Sequence, residues 1–238
     1  VLRYEEIERL VRVAAGLGIS RVRLTGGEPL VRRGIVDLVA MVASTPGIDD
    51  VSMTTNGTLM ARHAGDLARA GLGRVNVSLD TLDPGRFRAV TRLGNLDDAL
   101  AGIRAAAEAA LTPIKINVVV MRDGNADEVV AFARRTITDG WNVRFIEVMP
   151  IGVAAPTGPN GEGAQAAAQY VPSAETRAAI EAALGPLEPA TLPGNGPARY
   201  WRVPGAPGTI CQPVASTVAS VGPYMLSLIH ISEATRPY

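Results

Sequence analysis

Apolar residues recur along the chain in two alternating rhythms, and the switches between them mark out the elements. In "YEEIERLVRVAAGL", residues 4–17, Ile7, Leu10, Val11, Ala14 and Leu17 fall at helical spacing. That predicts a helix with one apolar face, stopped by Gly16 and Gly18. "RVRLTGG" then reads as a short buried strand running into a turn. Helical spacing returns over 35–43 through Ile35, Val36, Val39 and Val42 and ends near Pro46-Gly47. "VSMTTNG" (51–57) is a second strand with Asn56-Gly57 as turn chemistry; a helix over 58–70 stops at Gly71, and "RVNVSLD" (74–80) is a third strand. Asp80 and Asp83-Pro84 are expected to cap the helix that follows. A helix at 96–109, the strand "IKINVVVM" (114–121), a helix at 127–138 and the strand "VRFIEVM" (143–149) continue the alternation.

Five apolar strands separated by amphipathic helices predict consecutive βα units and a parallel sheet. Right-handed crossovers put every helix on the same side if that sheet curls into a barrel. The expected class is therefore α/β, a partial (βα) barrel over 1–150. After Pro150 the pattern changes. "IGVAAPTGPNGEGAQAAAQY" is rich in Gly, Pro and Ala and reads as a flexible connection. A helix at 173–184 starts from Ser173 as N-cap, and "ARYWRVPGAPGTI" reads as two short strands around Pro204-Gly205. Residues 151–222 thus form a small C-terminal α+β appendage, and 223–238 a tail of different character.

Composition narrows the function classes. The 23 basic and 23 acidic residues cancel, so nothing global steers the chain toward nucleic acid or an anionic membrane. No apolar run approaches the roughly 20 residues that span a bilayer. The chain opens on an amphipathic stretch rather than a signal peptide, and on Val1 rather than Met, the expectation being a fragment in a reducing, cytoplasmic setting. One cysteine, Cys211, excludes an internal disulfide and any multi-cysteine metal site within these residues.

The polar residues fall where parallel sheets build ligand sites. Thr25-Gly-Gly-Glu, Thr54-Thr-Asn-Gly, Ser78-Leu-Asp and Met149-Pro all lie at or just past the C-terminal ends of strands. Gly26-Gly27 let a backbone approach a ligand without a Cβ in the way, and Glu28 is an acceptor suited to an ammonium. Arg23 shares a face with Thr25 and suits a phosphate or carboxylate; Lys115 and Asn117 share one face of the fourth strand. There is no G-x-G-x-x-G, no P-loop and no H-E-x-x-H, and with only His63 and His230 present no Ser-His-Asp set forms. His63 reads as a surface or packing histidine.

"VRLTGGEPLVRR", "MTTNG", "VNVSLDTLD", "IKINVVVMRDGN" and "VRFIEVMPIG", in this order and from residue 1 to about 210, resemble the radical S-adenosylmethionine enzymes. Within them the resemblance is to the GTP 3′,8-cyclases of molybdenum cofactor biosynthesis. GGEP marks only the superfamily; Arg23, Lys115 and "RFIE-M-P-G" point to the cyclases. The alternatives are another radical-SAM enzyme such as a peptide-modifying one, a cluster-less barrel that binds S-adenosylmethionine or a nucleotide without chemistry, and a metal-independent βα-barrel enzyme in which GGEP is a coincidental turn. The resemblance implies a radical-SAM type barrel and a lyase with S-adenosylmethionine and [4Fe–4S] clusters as cofactors. A reduced cluster cleaves S-adenosylmethionine to a 5′-deoxyadenosyl radical, which abstracts a ribose hydrogen from GTP. The sugar carbon then attacks C8 of guanine, giving (8S)-3′,8-cyclo-7,8-dihydroguanosine 5′-triphosphate. By the same resemblance Gly27, with Glu28 adjacent, Ser78 and Met149 bind S-adenosylmethionine, while Arg23, Thr54 and Lys115 belong to the GTP site. The implied partners are GTP and S-adenosylmethionine, with self-association into a homodimer left open and neither nucleic acid nor membrane involved.

The chain departs from that pattern in its cysteines. The three-cysteine motif of the first cluster belongs before residue 1, and "GTICQPVASTVASVGPYM" runs on without the pair expected for the second. Cys211 precedes the place of that pair and takes no metal role, because one thiolate cannot hold such a cluster. "LSLIHISEATRPY" fits nothing in the family and reads as a translated adapter sequence. The expectation is a piece of a cyclase that is inactive as it stands.

Overall fold

The computed structural model describes residues 2–92, 94–148, 168–192, 198–212 and the backbone of 225–228. The chain forms two compact units, the first from Val1–Leu79, Asp83–Ile114 and Val221–Tyr238, the second from Asp80–Leu82 and Lys115–Ser220.

The first unit is built on α1 (Tyr4–Gly16), β1 (Arg21–Leu24), α2 (Ile35–Ala43), β2 (Asp50–Thr55), α3 (Met60–Arg69), β3 (Arg74–Ser78), α4 (Pro84–Thr91) and α5 (Leu96–Glu108). β2 lies between β1 and β3, all parallel, with Arg23 opposite Ser52 and Thr54 opposite Asn76. A strand at Met225–Leu228 pairs in parallel with the other edge of β1. Strand alternation sorts the side chains onto two faces. Val22, Leu24, Val51, Met53, Val75 and Val77 are buried on one of them. Arg23, Ser52, Thr54, Asn76 and Ser78 occupy the other. The helices pack on one another in sequence, α1 on α2, α2 on α3 and α3 on α5. The last contact is close: a Cβ on Gly102 would lie 2.0 Å from the carbonyl oxygen of Gly57.

α1 has a narrower buried stripe than the sequence pattern predicts. Ile7, Val11 and Ala14 are buried, but Leu10 is 44% and Leu17 80% exposed. At about 100° per residue, Leu10 and Leu17 sit roughly 60–80° round from the Ile7 line and miss the contact with α2. Gly18, at φ 88°, turns the chain after the helix as expected. Asp83 caps α4, accepting from the Arg86 amide at 2.7 Å with Pro84 behind it. Asp80 does not cap; its Oδ1 accepts from the Val119 amide at 2.8 Å instead.

The second unit holds β4 (Lys115–Val120), α6 (Val129–Thr138), β5 (Asn142–Glu147), α7 (Ser173–Leu184), β6 (Glu188–Ala190), β7 (Arg199–Arg202) and β8 (Thr209–Gln212). β4, β5 and β8 are parallel neighbours, and β8, β7 and β6 continue antiparallel. Here too one face is apolar, with Ile116, Val118, Val120, Val143, Phe145 and Ile210 buried. α6 packs on α7, β5 and β8, and α7 packs on β5. Gly208 makes the tightest approach, since a Cβ there would lie 2.1 Å from the Trp141 carbonyl oxygen. Pro172 rather than Ser173 occupies the N-cap of α7, and the Ser173 amide donates to Glu147 Oε1 at 2.6 Å. β6 was not predicted: three residues, one of them Pro189, carry too short a pattern to read.

Candidate functional site

The GGEP turn follows β1 and is held by its own acid. Glu28 Oε1 accepts from the Leu30 amide at 3.0 Å and from Thr55 Oγ1 at 2.8 Å, and Oε2 accepts from the Asn56 amide at 2.7 Å. One carboxylate therefore ties the turn after β1 to the turn after β2. Burial raises the Glu28 pKa above its usual value, the bonds from Asn56, Leu30 and Thr55 opposing the shift. Three of the roughly four lone-pair directions of a carboxylate are in use, leaving one for a ligand ammonium. Gly27 beside it is exposed, as is Ser78 at the end of β3. Arg23 is half-buried on the polar face of β1, and Thr54 lies across from Asn76, whose Nδ2 is 3.5 Å from Thr54 Oγ1. Exposed backbone, hydroxyls and one acceptor direction suit the ammonium and carboxylate of an amino acid, so these residues fit S-adenosylmethionine.

In the second unit Lys115 is the first residue of β4 and only 8% exposed. Its Nζ lies 3.4 Å from Tyr200 Oη and 5.7 Å from the centre of the Tyr200 ring. The strand register brings further chemistry beside it. Asn117 pairs across to Arg144, Arg144 to Cys211, and Cys211 to Tyr200. These four residues form one lateral row on the face that also carries Lys115. Against the larger effect of burial, the Arg144 charge lowers the pKa of both Tyr200 and Cys211. Burial pushes the Cys211 thiol and the Tyr200 phenol up, so both keep their protons at neutral pH. A cation on a buried sheet face is costly to desolvate unless something anionic meets it, so this row can receive phosphate oxygens.

Sequence reasoning missed Arg144 and Tyr200. The signal for Arg144 was present, an arginine at an inward position of "VRFIE" in the manner of Lys115 on β4. Tyr200 and Cys211 gave none, because their place depends on β8 inserting beside β5. A third grip went unread. Asn125 Nδ2 donates to the Asp80 carbonyl at 2.6 Å and to the Val119 carbonyl at 2.9 Å, while Glu128 accepts from Thr81 Oγ1 and the Leu82 amide at 2.6 Å each. Met149 lies outside the described residues. His63 is half-buried on α3.

The sequence profile of the Radical SAM superfamily matches residues 1–136. The chain belongs to the radical SAM superfamily. Among solved structures it is similar to HydG, a maturase of the [FeFe]-hydrogenase, with a TM-score of 0.54 at 17% identity over 76% of this chain and 42% of that one. This likeness concerns the fold, and with the βα units above it makes the architecture an α/β partial barrel of the radical-SAM type. Among curated relatives the chain is 52% identical over 211 residues to the GTP 3′,8-cyclase of Pelotomaculum thermopropionicum, covering 88% of this chain and 62% of that protein. It is 47% identical over 209 residues to GTP 3′,8-cyclase 1 of Pseudomonas aeruginosa, covering 88% and 61%. The chain thus spans about 62% of the length of the curated relatives it matches.

The other cofactor of the superfamily is a different matter. The 238 residues hold one cysteine, and among the described residues no three His, Cys, Asp or Glu side chains gather as a metal site. Cys211 is 2% exposed, and burial raises its thiol pKa. A cluster held by several thiolates does not fit the residues present. Among the described residues no helix is long and apolar enough to cross a membrane.

Proposed function

We propose that the chain is the S-adenosylmethionine- and GTP-binding part of a GTP 3′,8-cyclase of molybdenum cofactor biosynthesis. What carries the reading is its 52% identity over 211 residues to a protein of that name, and the cationic row of the second unit supports it. On this reading the first unit offers Gly27, Ser78 and the open acceptor direction of Glu28 to the amino acid moiety of S-adenosylmethionine. Met149 belongs to the same cofactor. When bound, S-adenosylmethionine is the radical source on which the family's chemistry depends. Arg23, Thr54 and Lys115, joined by Arg144, hold the triphosphate. The reaction links the ribose C3′ of GTP to C8 of its own guanine, so the protein's contribution is to fix the sugar and base in one conformer and keep water away. Two cations replacing the hydration of the phosphates anchor the substrate at the end remote from the bond that forms. The same reading makes the enzyme a cytoplasmic lyase.

A chimera tests it. The segments of the Pelotomaculum relative that lie outside the matched residues are joined to this chain, and the product is reconstituted with iron and sulfide. The expected outcome is consumption of GTP to a 3′,8-cyclised triphosphate that depends on S-adenosylmethionine and reductant. Cleavage of S-adenosylmethionine with GTP left intact would sink the cyclase reading and favour another radical chemistry.

A further inference from the structure

We propose that Thr55 is a positioning residue of the GGEP turn: its hydroxyl fixes the Glu28 carboxylate so that Oε2 is the oxygen that meets the α-ammonium of S-adenosylmethionine. The inference rests on the reading of that turn as the cofactor's amino acid site. It adds a residue that acts on the cofactor only through Glu28.

Thr55 ends β2 and is only 3% exposed, so its hydroxyl has to find its partners inside the fold. It finds one on each side. Oγ1 accepts from the Gly57 amide at 3.1 Å and donates to Glu28 Oε1 at 2.8 Å. The first of these bonds belongs to the turn itself: Gly57 sits at φ 81°, and a Cβ there would lie 3.0 Å from Val77 Cγ1. Asn56 braces the same turn, its Oδ1 accepting from the Thr58 amide at 3.0 Å and from Thr58 Oγ1 at 2.8 Å. A hydroxyl has a single proton and an ionised carboxylate can only accept, so the Thr55 proton goes to Glu28. The two carboxylate oxygens then differ. Oε1 accepts from both the Leu30 amide and the Thr55 hydroxyl, which uses its two lone-pair directions, whereas Oε2 accepts from the Asn56 amide alone. An arriving ammonium is thereby directed to Oε2. Without the hydroxyl, Oε1 would offer a second, competing direction, and the carboxylate could rock about its last torsion, which has no sharp minimum of its own. The same bond favours the charge that an ammonium needs. Burial raises the Glu28 pKa, and the donors Asn56, Leu30 and Thr55 oppose that rise.

The test uses the whole 238-residue chain and reads two ligands by titration calorimetry. One is S-adenosylmethionine; the other is 5′-methylthioadenosine, which keeps the adenosine and the sulfur but has no ammonium or carboxylate. Thr55→Val keeps the branched shape without the hydroxyl, and Thr55→Ser keeps the hydroxyl without the methyl. The unchanged chain should bind S-adenosylmethionine the more tightly of the two. Thr55→Val should weaken S-adenosylmethionine binding about tenfold and leave 5′-methylthioadenosine within about twofold, while Thr55→Ser should return the first to within about threefold of the unchanged chain. Should valine prevent folding, Thr55→Cys carries the same comparison, its weak thiol donor costing about threefold for S-adenosylmethionine alone. If the valine or cysteine variant binds S-adenosylmethionine like the unchanged chain, the inference fails and the amino acid site stands. Equal loss of both ligands, or no rescue by serine, would make Thr55 a structural residue and likewise overturn the inference. If the unchanged chain does not prefer S-adenosylmethionine to 5′-methylthioadenosine, the site itself is misread and the inference falls with it.

Discussion

The two units bury charge in opposite ways. In the first, the acid of the GGEP turn is answered by the chain itself: two amides and a hydroxyl from β2 and its own turn point at Glu28. In the second, Arg144 stands between Asn117 and Cys211 in the strand register, and Lys115 Nζ lies 3.4 Å from the Tyr200 phenol oxygen. The first arrangement leaves glycine backbone, a serine hydroxyl and one acceptor direction of Glu28 for a ligand. The second keeps two cations, Lys115 and Arg144, on one sheet face. On the proposed function, which gives the fold an amino acid and a polyphosphate to hold, the two places have different needs. The zwitterion wants a rigid neutral shelf; the polyanion wants positive charge held in place.

The sharpest way to break this contrast is to remove each ion. Glu28→Ala strands two amides and a hydroxyl at once and should destabilise the chain by about 3 kcal/mol in urea melts. Lys115→Ala removes a charge whose burial is costly, so the same melts should show a change of less than about 1 kcal/mol or a small gain. Lys115→Ala should instead weaken GTP binding at least roughly tenfold by calorimetry, with little change for S-adenosylmethionine. Comparable destabilisation in both variants would show that the two ions are held in the same manner.

The pH dependence follows from the direction of the carboxylate shifts. Burial raises both Glu28 and Asp80 above their usual values, so the folded state binds their protons more tightly than the unfolded chain does. Their protonation therefore contributes stability that is fully present below the unfolded values and is lost as pH rises through the raised folded ones. Urea melts across that window should show stability falling with rising pH. Glu28→Gln should flatten the part of that slope due to Glu28, and Asp80→Asn the other. An unchanged slope in both variants would place the titration elsewhere. The smallest effect is expected at Cys211→Ser, within about 1 kcal/mol because the hydroxyl replaces the thiol at nearly the same volume beside Tyr200 and Arg144 in the strand register. Neither this variant nor the unchanged chain should develop iron–sulfur charge-transfer absorbance after anaerobic reconstitution; a cluster spectrum in the unchanged chain would contradict the reading of its cysteine.

How far the sequence could be read depends on the range of the interaction. The βα units were legible because each rests on a local rhythm: "RVRL", "VSMTT" and "IKINVVV" announce their strands by residue type, and Asp83-Pro84 its cap by position. The inward placement of Lys115 was legible from alternation on one strand. Glu28 was read as a group facing a ligand, whereas most of its bonding capacity goes to Thr55, Asn56 and Leu30. Nothing in "GGEP" reveals that, because the partners on β2 lie 27 and 28 residues away. Asp80 looked like a cap for the same reason. Its true partner, the Val119 amide, comes from a strand 39 residues on. Tyr200 needed the order of three strands, which no window of sequence carries.

The three residues Asp80–Leu82 belong to the second unit although the chain on both sides of them builds the first. Asn125 and Glu128 hold them there. No single cut in the polypeptide can therefore separate the two units. A piece comprising 115–220 would leave Asn125, Glu128 and the Val119 amide without the backbone and carboxylate they grip. Assembly inherits an order from this. β4 cannot complete its bonding until a loop of some 39 residues has closed, with α4 and α5 inside it. The second unit should thus be the later one to gain hydrogen-exchange protection during refolding, with the Val119 amide among its last.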